Sequence, residues 1–305
     1  MNEKKCNKAS LKQALDGFPG EVRWQEAIAP YTSLKVGGPA EAMVFPASVE
    51  EVVFLMQRIS RGAIPYFVLG NGSNLIVRSG GFNGIVLHLK HLNRIALIGI
   101  DDLLAEGGAS FPKLAAFAME HHLSGLEFAA GIPGTVGGAV AMNAGIPGQE
   151  TGAWLVNIAL IDEDGVLREI NPRTIAFSYR KTTLPRGVIV SAAFRLTPRP
   201  AEEIEKDLKS LMKNRRERQP LNYPNCGSVF KNPAEGFAGE WLEKAGLKGL
   251  RIGDAQISEK HGNFIVNHGS ATAEEVLALI EKMQETVKAR FGIALELEVK
   301  IIGSE

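Results

Sequence analysis

The chain has 305 residues, 45% of them hydrophobic and 22% charged, enough for two or three domains with separate cores. Its 34 basic and 34 acidic residues cancel to a formal charge of zero, which argues against bulk attraction to nucleic acid or an acidic membrane surface. Cys6 and Cys226 form no paired motif, which argues against a disulfide scaffold or a cysteine zinc site and fits a reducing cytoplasm.

Helical spacing of Leu11, Ala14, Leu15 and Phe18 predicts a leading helix over 10–18. No signal-peptide pattern is read in the charged start Met1-Asn2-Glu3-Lys4-Lys5, and no apolar run approaches the ~20 residues that span a bilayer. A turn-rich segment follows over 30–39, then a strand over 42–45 that ends at Pro46. Ser48 and Glu51 form a capping-box pattern, opening a helix through Val52, Leu55, Met56 and Ile59 that Gly62 closes. The apolar run 66–69 predicts a buried strand, with further short strands at 76–77 and 85–87.

Leu69-Gly70-Asn71-Gly72-Ser73-Asn74-Leu75 leaves that strand as a loop of glycines and short polar side chains. It is neither a Gly-x-Gly-x-x-Gly fingerprint nor a Gly-Lys-Ser/Thr loop, so a pyrophosphate there would be held by neutral donors; the alternative is an Asn-Gly hairpin turn. A hairpin is predicted around Asp101-Asp102 and a helix capped by Ser110. Adjacent His121 and His122 point to different faces and have no carboxylate at ligand spacing, so no metal site is expected.

Residues 131–145 (Gly-Ile-Pro-Gly-Thr-Val-Gly-Gly-Ala-Val-Ala-Met-Asn-Ala-Gly) carry no charge and five glycines. Glycine permits positive φ and close approach of the backbone to a ligand, and successive amides can converge on a phosphate or a flavin edge. Tight turns around a packed core would give the same composition. Strands are predicted over 155–161, 166–170 and 188–194, and Pro198 and Pro200 mark a boundary. Beyond it, Ile204, Leu208, Leu211 and Met212 form one face of a charged helix ending in Lys213, Arg215, Arg216 and Arg218. Thr272 and Glu275 cap a last helix, and Leu295, Leu297, Val299 and Ile301 alternate along a final strand containing Glu298.

Arg180, Ser228 and Glu298 have neighbours unusual for plain surface, although spacing alone also allows an ion-pair partner, a turn residue and a charge on a wet sheet face. The segments 31–38, 69–75, 131–145, 178–180, 227–233, 259–267 and 297–300 together resemble, in order, the UDP-N-acetylenolpyruvoylglucosamine reductase family. That resemblance implies an α+β fold: a two-lobed FAD-binding domain of the vanillyl-alcohol-oxidase type (lobes 1–97 and 98–198) and a C-terminal α/β substrate-binding domain (199–305), whose last strand returns toward the flavin. It implies noncovalent FAD held by Leu69, Gly70, Asn71, Gly72, Ser73, Asn74, Leu75, Ile132, Pro133, Gly134, Val136, Gly137, Gly138, Asn143 and Gly145, with NADPH as hydride donor. The implied substrate is a UDP-sugar enolpyruvyl ether, contacted by Arg180, Lys231, Asn232 and Gln256.

Hydride would reach the vinyl CH₂ carbon, and negative charge would spread from the next carbon into the carboxylate. By motif, Arg180 and Glu298 stabilise that charge, Glu298 only if it is protonated, with a raised pKa, or donates through a partner, and Ser228 delivers the proton. A cytoplasmic monomer without nucleic-acid or membrane partners is expected. The short segment 181–187 has no tyrosine, which resembles the subgroup without a lid loop; Lys300 stands where arginine is frequent. Two other readings are another FAD oxidoreductase of this fold, which needs no serine proton donor, and a silent nucleotide-sugar-binding regulator.

Overall fold

A computed structural model describes residues 7–304. Cys6 and the charged start 1–5 lie outside the described residues. The fold is α+β, and the chain divides into two compact units. One contains 7–24, Ala42–Gly70 and Gly84–Lys213; the other contains Gln25–Glu41, Asn71–Asn83 and 214–304.

The first unit has two cores. One gathers Leu11, Ala14 and Leu15 of helix α1 (Lys8–Leu15) with Phe18, Val52, Leu55, Met56 and Ile59 of α2 (Val49–Arg61), and with Ile85 and Leu87. α1 opens two residues earlier than Ser10, because Asn7 takes the cap and accepts from the Ala9 amide. Phe18 lies beyond the helix but still reaches the core. In α2 only half of the expected capping box forms. Ser48 Oγ accepts from Glu51 N at 3.3 Å, whereas Glu51 Oε2 accepts from Ala47 N at 2.8 Å. The left-handed residue after α2 is Ala63 (φ +45°), not Gly62. Strand β1 (Tyr66–Leu69) pairs in parallel with Ile85–His88 of the strand Phe82–His88, and only its Leu69 is fully buried.

The second core of this unit packs α3 (Phe111–Glu120), capped by Ser110 as expected, and α4 (Val136–Met142) against a five-stranded antiparallel sheet. The sheet order is Leu167–Ile170, Leu155–Asp162, Gly187–Arg195, Asp102–Glu106, Ile95–Leu97. Ile158, Leu160 and Phe194 of this sheet join the second core, while Ile161, Val188 and Val190 join the first.

The second unit has one core. Val276, Leu279, Ile280, Met283 and Val287 of α7 (Ala273–Phe291) pack there with Leu34, Ile76, Val229, Phe230, Leu295 and Val299. The reciprocal capping box at Thr272 and Glu275 is complete. Thr272→Ala should therefore lower the unfolding free energy by about 1 kcal/mol, measurable as a shifted denaturant midpoint at unchanged slope. Regular strand pairing at the C-terminus covers only Lys300–Ile302, parallel to Leu75–Val77. Glu298 stands just before that strand, in extended chain whose Leu297 bridges Phe230. The charged helix α5 (Ala201–Arg218) buries Ile204 alone, so its expected apolar face is mostly half-exposed.

Candidate active site

In the first unit the glycine-rich stretch is more ordered than its composition suggests. Thr135, nearly buried, caps α4 by accepting from Gly138 N at 3.3 Å. The amides of Val136 and Gly137 donate to Ala109 O and Gly107 O, both at 2.8 Å, and Ile132 N donates to Ala129 O at 3.0 Å. The expectation that these amides face a ligand is corrected at those four positions: they fix the loop to its own scaffold. Gly134 (φ +149°) gives its carbonyl to Phe111 N, Pro133 is exposed at the turn, and Gly138 is exposed at the start of α4. A Cβ on Gly70 would lie 2.5 Å from Thr135 Oγ1, so the exit of β1 abuts the start of α4. At the far end of α4, a Cβ on buried Gly145 would meet Gln149 O at 2.2 Å.

Asn143 ends α4 in a left-handed conformation (φ +44°) and is fully buried. Its amide Nδ2 donates to Glu150 Oε2 (2.7 Å) and Ser178 O (3.1 Å), and its Oδ1 accepts from Gly152 N (2.9 Å). Arg180 lies at the tip of the hairpin Phe177–Ser178 and Lys181–Thr182, itself at φ +57°, with its guanidinium carbon 5.0 Å over the Tyr179 ring.

In the second unit, three loops converge. Gly72 (φ +57°) lies so close to the preceding motif that a Cβ would stand 2.5 Å from Tyr31 O and 2.7 Å from Thr32 Cα. Ser33 N donates to Gly72 O at 3.2 Å, and Ser33 Oγ donates to Asn225 O at 2.6 Å. Asn225 Oδ1 accepts from Gly227 N, which sets the residue before Ser228. Half-buried Ser228 adjoins Val229, whose carbonyl accepts from Glu298 N at 2.9 Å. Asn74 grips the same segment twice. Its Nδ2 donates to Glu298 O (3.1 Å) and its carbonyl accepts from Lys300 N (3.1 Å). The backbones of Ser228 and Glu298 are thus brought together on a frame that includes Gly72 and Asn74 of the loop 69–75.

Among the expected substrate residues, Lys231 makes a partly exposed ion pair with Glu296 at 3.3 Å. Asn232 Oδ1 accepts from Ala238 N at the start of α6 (Ala238–Lys244). Gln256 Nε2 donates to Gly249 O, and its Oε1 meets His268 Nε2 at 2.6 Å. Cys226, next to the Ser228 turn, is buried, and burial pushes its thiol up to about 12.

Sequence reasoning missed Asn263. It is buried and binds both backbone groups of Phe230: Oδ1 accepts from Phe230 N (2.9 Å) and Nδ2 donates to Phe230 O (2.8 Å). The only signal was its place in the quoted motif 259–267, which carries no chemistry by itself. Asn263→Leu leaves two buried backbone groups unpaired and should cost about 2–5 kcal/mol. Thermal unfolding of the variant measures the loss.

The loops fit FAD in their donor set: neither 69–75 nor 131–145 carries a charged residue, so a pyrophosphate would meet neutral donors only. Gly70 and Gly72 are packed against protein, where any side chain would collide with backbone or the Thr135 cap. Among the described residues no cluster of three His, Cys, Asp or Glu could hold a metal, and no helix is long and apolar enough to cross a membrane. An FAD binding domain matches residues 40–171, which places the chain among flavin-binding proteins.

The model described as UDP-N-acetylenolpyruvoylglucosamine reductase, C-terminal domain, matches residues 219–302. UDP-N-acetylenolpyruvoylglucosamine reductase 2 of Symbiobacterium thermophilum is 44% identical over 288 residues, 93% of each chain. The reductase of Geobacillus thermodenitrificans is 41% identical, covering 97% of this chain and 98% of its own. The crystal structure of the corresponding reductase from Thermus caldophilus superposes with a TM-score of 0.79 at 36% identity, covering 92% of this chain and 98% of that one. The chain belongs to the UDP-N-acetylenolpyruvoylglucosamine reductase family.

Proposed function

We propose that the protein reduces UDP-N-acetylglucosamine enolpyruvate to UDP-N-acetylmuramate, a cytoplasmic step of peptidoglycan synthesis, with NADPH as reductant and noncovalent FAD as carrier. The observation that carries this reading is the joining of Ser228 and Glu298 through Val229 O, Glu298 N and Asn74. A flavin-dependent oxidase of this fold would need no serine proton donor.

When bound, FAD supplies the hydride carrier. Leu69–Leu75 would hold its pyrophosphate with neutral donors, and Ile132, Pro133, Gly134, Val136, Gly137, Gly138 and Gly145 would shape the backbone along the flavin and its ribityl chain. Arg180 supplies fixed positive charge to the substrate carboxylate as the enolate develops; its planar fork suits a carboxylate. Glu298 contributes only as a protonated carboxyl or through a partner that donates, because a second anion would oppose the charge that forms. Ser228 donates its hydroxyl proton to the basic carbon beside the carboxylate, and proximity offsets the weak acidity of an alcohol. Lys231, Asn232 and Gln256 contact the nucleotide sugar. The protein acts as a monomer with an FAD-binding lobe within 1–97, a second lobe within 98–198 and a substrate domain within 199–305, to whose core the segments 25–41 and 71–83 add Leu34, Val36 and Ile76.

The test is cofactor release and turnover. Denaturation should free FAD from a yellow protein, and NADPH consumption should require the enolpyruvyl nucleotide, one equivalent for each product formed. A colourless protein that cannot be loaded with flavin, or NADPH oxidation independent of that substrate, contradicts the proposal.

A further inference from the structure

We propose that Asn143 is a positioning residue for Arg180 and not a ligand of the cofactor, an inference that rests on the role given to Arg180 above. The side chain of Asn143 is fully buried, and both its oxygen and its nitrogen are already bonded to protein. One of those bonds reaches Ser178 O, two residues before Arg180. Across the hairpin, Thr182 Oγ1 donates to Ala141 O at 3.2 Å, so both strands that carry Arg180 are tied to the last turn of α4. Phe177 closes the same clamp: a Cβ on Gly152 would lie 2.6 Å from its ring, while Gly152 N is held by Asn143 Oδ1.

A clamp is physically required here. Arg180 sits at φ +57°, a conformation that a residue with a side chain adopts reluctantly and keeps only when its surroundings impose it. Asn143 has the same difficulty (φ +44°), and asparagine tolerates that region better than other side-chain-bearing residues. Glu150 Oε2 accepts from Asn143 Nδ2, which leaves the amide one orientation: nitrogen toward Glu150 and Ser178 O, oxygen toward Gly152 N. The length of α4 and the orientation of one amide therefore set where the guanidinium starts from.

The test uses Asn143→Gly, which keeps the left-handed backbone and removes the amide, and Thr182→Val, which cuts the opposite tie at the protein surface. Flavin fluorescence should give FAD affinities within about twofold of the parent for both, as expected if neither side chain touches the cofactor. Reoxidation of the reduced enzyme by the enolpyruvyl substrate should slow by roughly tenfold or more in Asn143→Gly and by a smaller factor in Thr182→Val, the scale expected of a displaced catalytic group. In an Arg180→Ala background, Asn143→Gly should cause no further loss.

The proposal is overturned if Asn143→Gly weakens FAD binding tenfold while reoxidation at saturating FAD is unchanged, if the losses of the two sites multiply in the double variant, or if reoxidation is at parental rate in both clamp variants. If Arg180→Ala alone reoxidises normally, the role given to Arg180 fails and this inference falls with it. Should Asn143→Gly not fold, the Thr182→Val rate decides.

Discussion

Ser228→Ala is expected to leave NADPH-driven reduction of the flavin at the parental rate and to slow reoxidation by the enolpyruvyl substrate by about 10²–10⁴-fold, the usual range for a positioned general acid. The separation follows from chemistry. Reducing the flavin needs no proton from this hydroxyl, whereas completing the substrate does. Half-buried Ser228 is also a mild place to lose one oxygen, because the turn is shaped by Gly227 at φ +76° and by the Asn225 bond to Gly227 N. A variant that still reduces its flavin but cannot return it is therefore a chemical loss and not an unfolded protein. Stopped-flow absorbance of the two half-reactions measures both rates. Equal reoxidation in variant and parent removes Ser228 as the proton donor.

Gly72→Ala should have the largest structural effect on cofactor retention. An added Cβ would overlap Tyr31 O and Thr32 Cα, both backbone, at a φ that alanine resists. The neighbouring Thr32 is itself pinned, with its Oγ1 donating to Ala29 O at 3.0 Å and accepting from Lys35 N at 3.1 Å, so the motif cannot yield cheaply. Such overlap with strained backbone costs about 1–3 kcal/mol or more. Because Gly72 O receives Ser33 N, and Ser33 also holds Asn225 O, the displacement should pass to the Ser228 turn. Purified Gly72→Ala should carry little FAD and melt several degrees below the parent; full flavin content at an unchanged melting temperature would show that the loop gives way freely.

What could be read in the chain depended on how locally each feature is determined. The α7 cap was legible because Thr272 and Glu275 satisfy one another three residues apart. The same pattern at Ser48 misled in half, since Ala47 N competes for the Glu51 carboxylate. Helix α4 was not legible at all. Gly137 and Gly138 argue against a helix on propensity, and the bonds that fix its first turn come from Ala109 and Gly107. The glycines of 69–75 and 131–145 correctly suggested close backbone packing, but at Gly72 and Gly137 that packing is against protein. Arg180, Ser228 and Glu298 stood out by their neighbours, but only the motifs gave them roles. What joins the last two to their frame is remote in sequence: Ser33 to Asn225 spans 192 positions and Asn74 to Glu298 spans 224. Asn263 left no trace of its role, because a buried asparagine that mimics a strand partner looks like any polar residue in a turn.

In the proposed reaction, reducing equivalents pass from the flavin to the enolpyruvyl double bond. The most direct test is to reduce the enzyme anaerobically with one equivalent of NADPH and then add either the enolpyruvyl nucleotide or UDP-N-acetylglucosamine, which lacks the vinyl group. Full return of the oxidised flavin spectrum is expected with one equivalent of the first compound and none with the second. A reduced spectrum that persists with the enolpyruvyl nucleotide and recovers only when oxygen is admitted would contradict the proposed reaction.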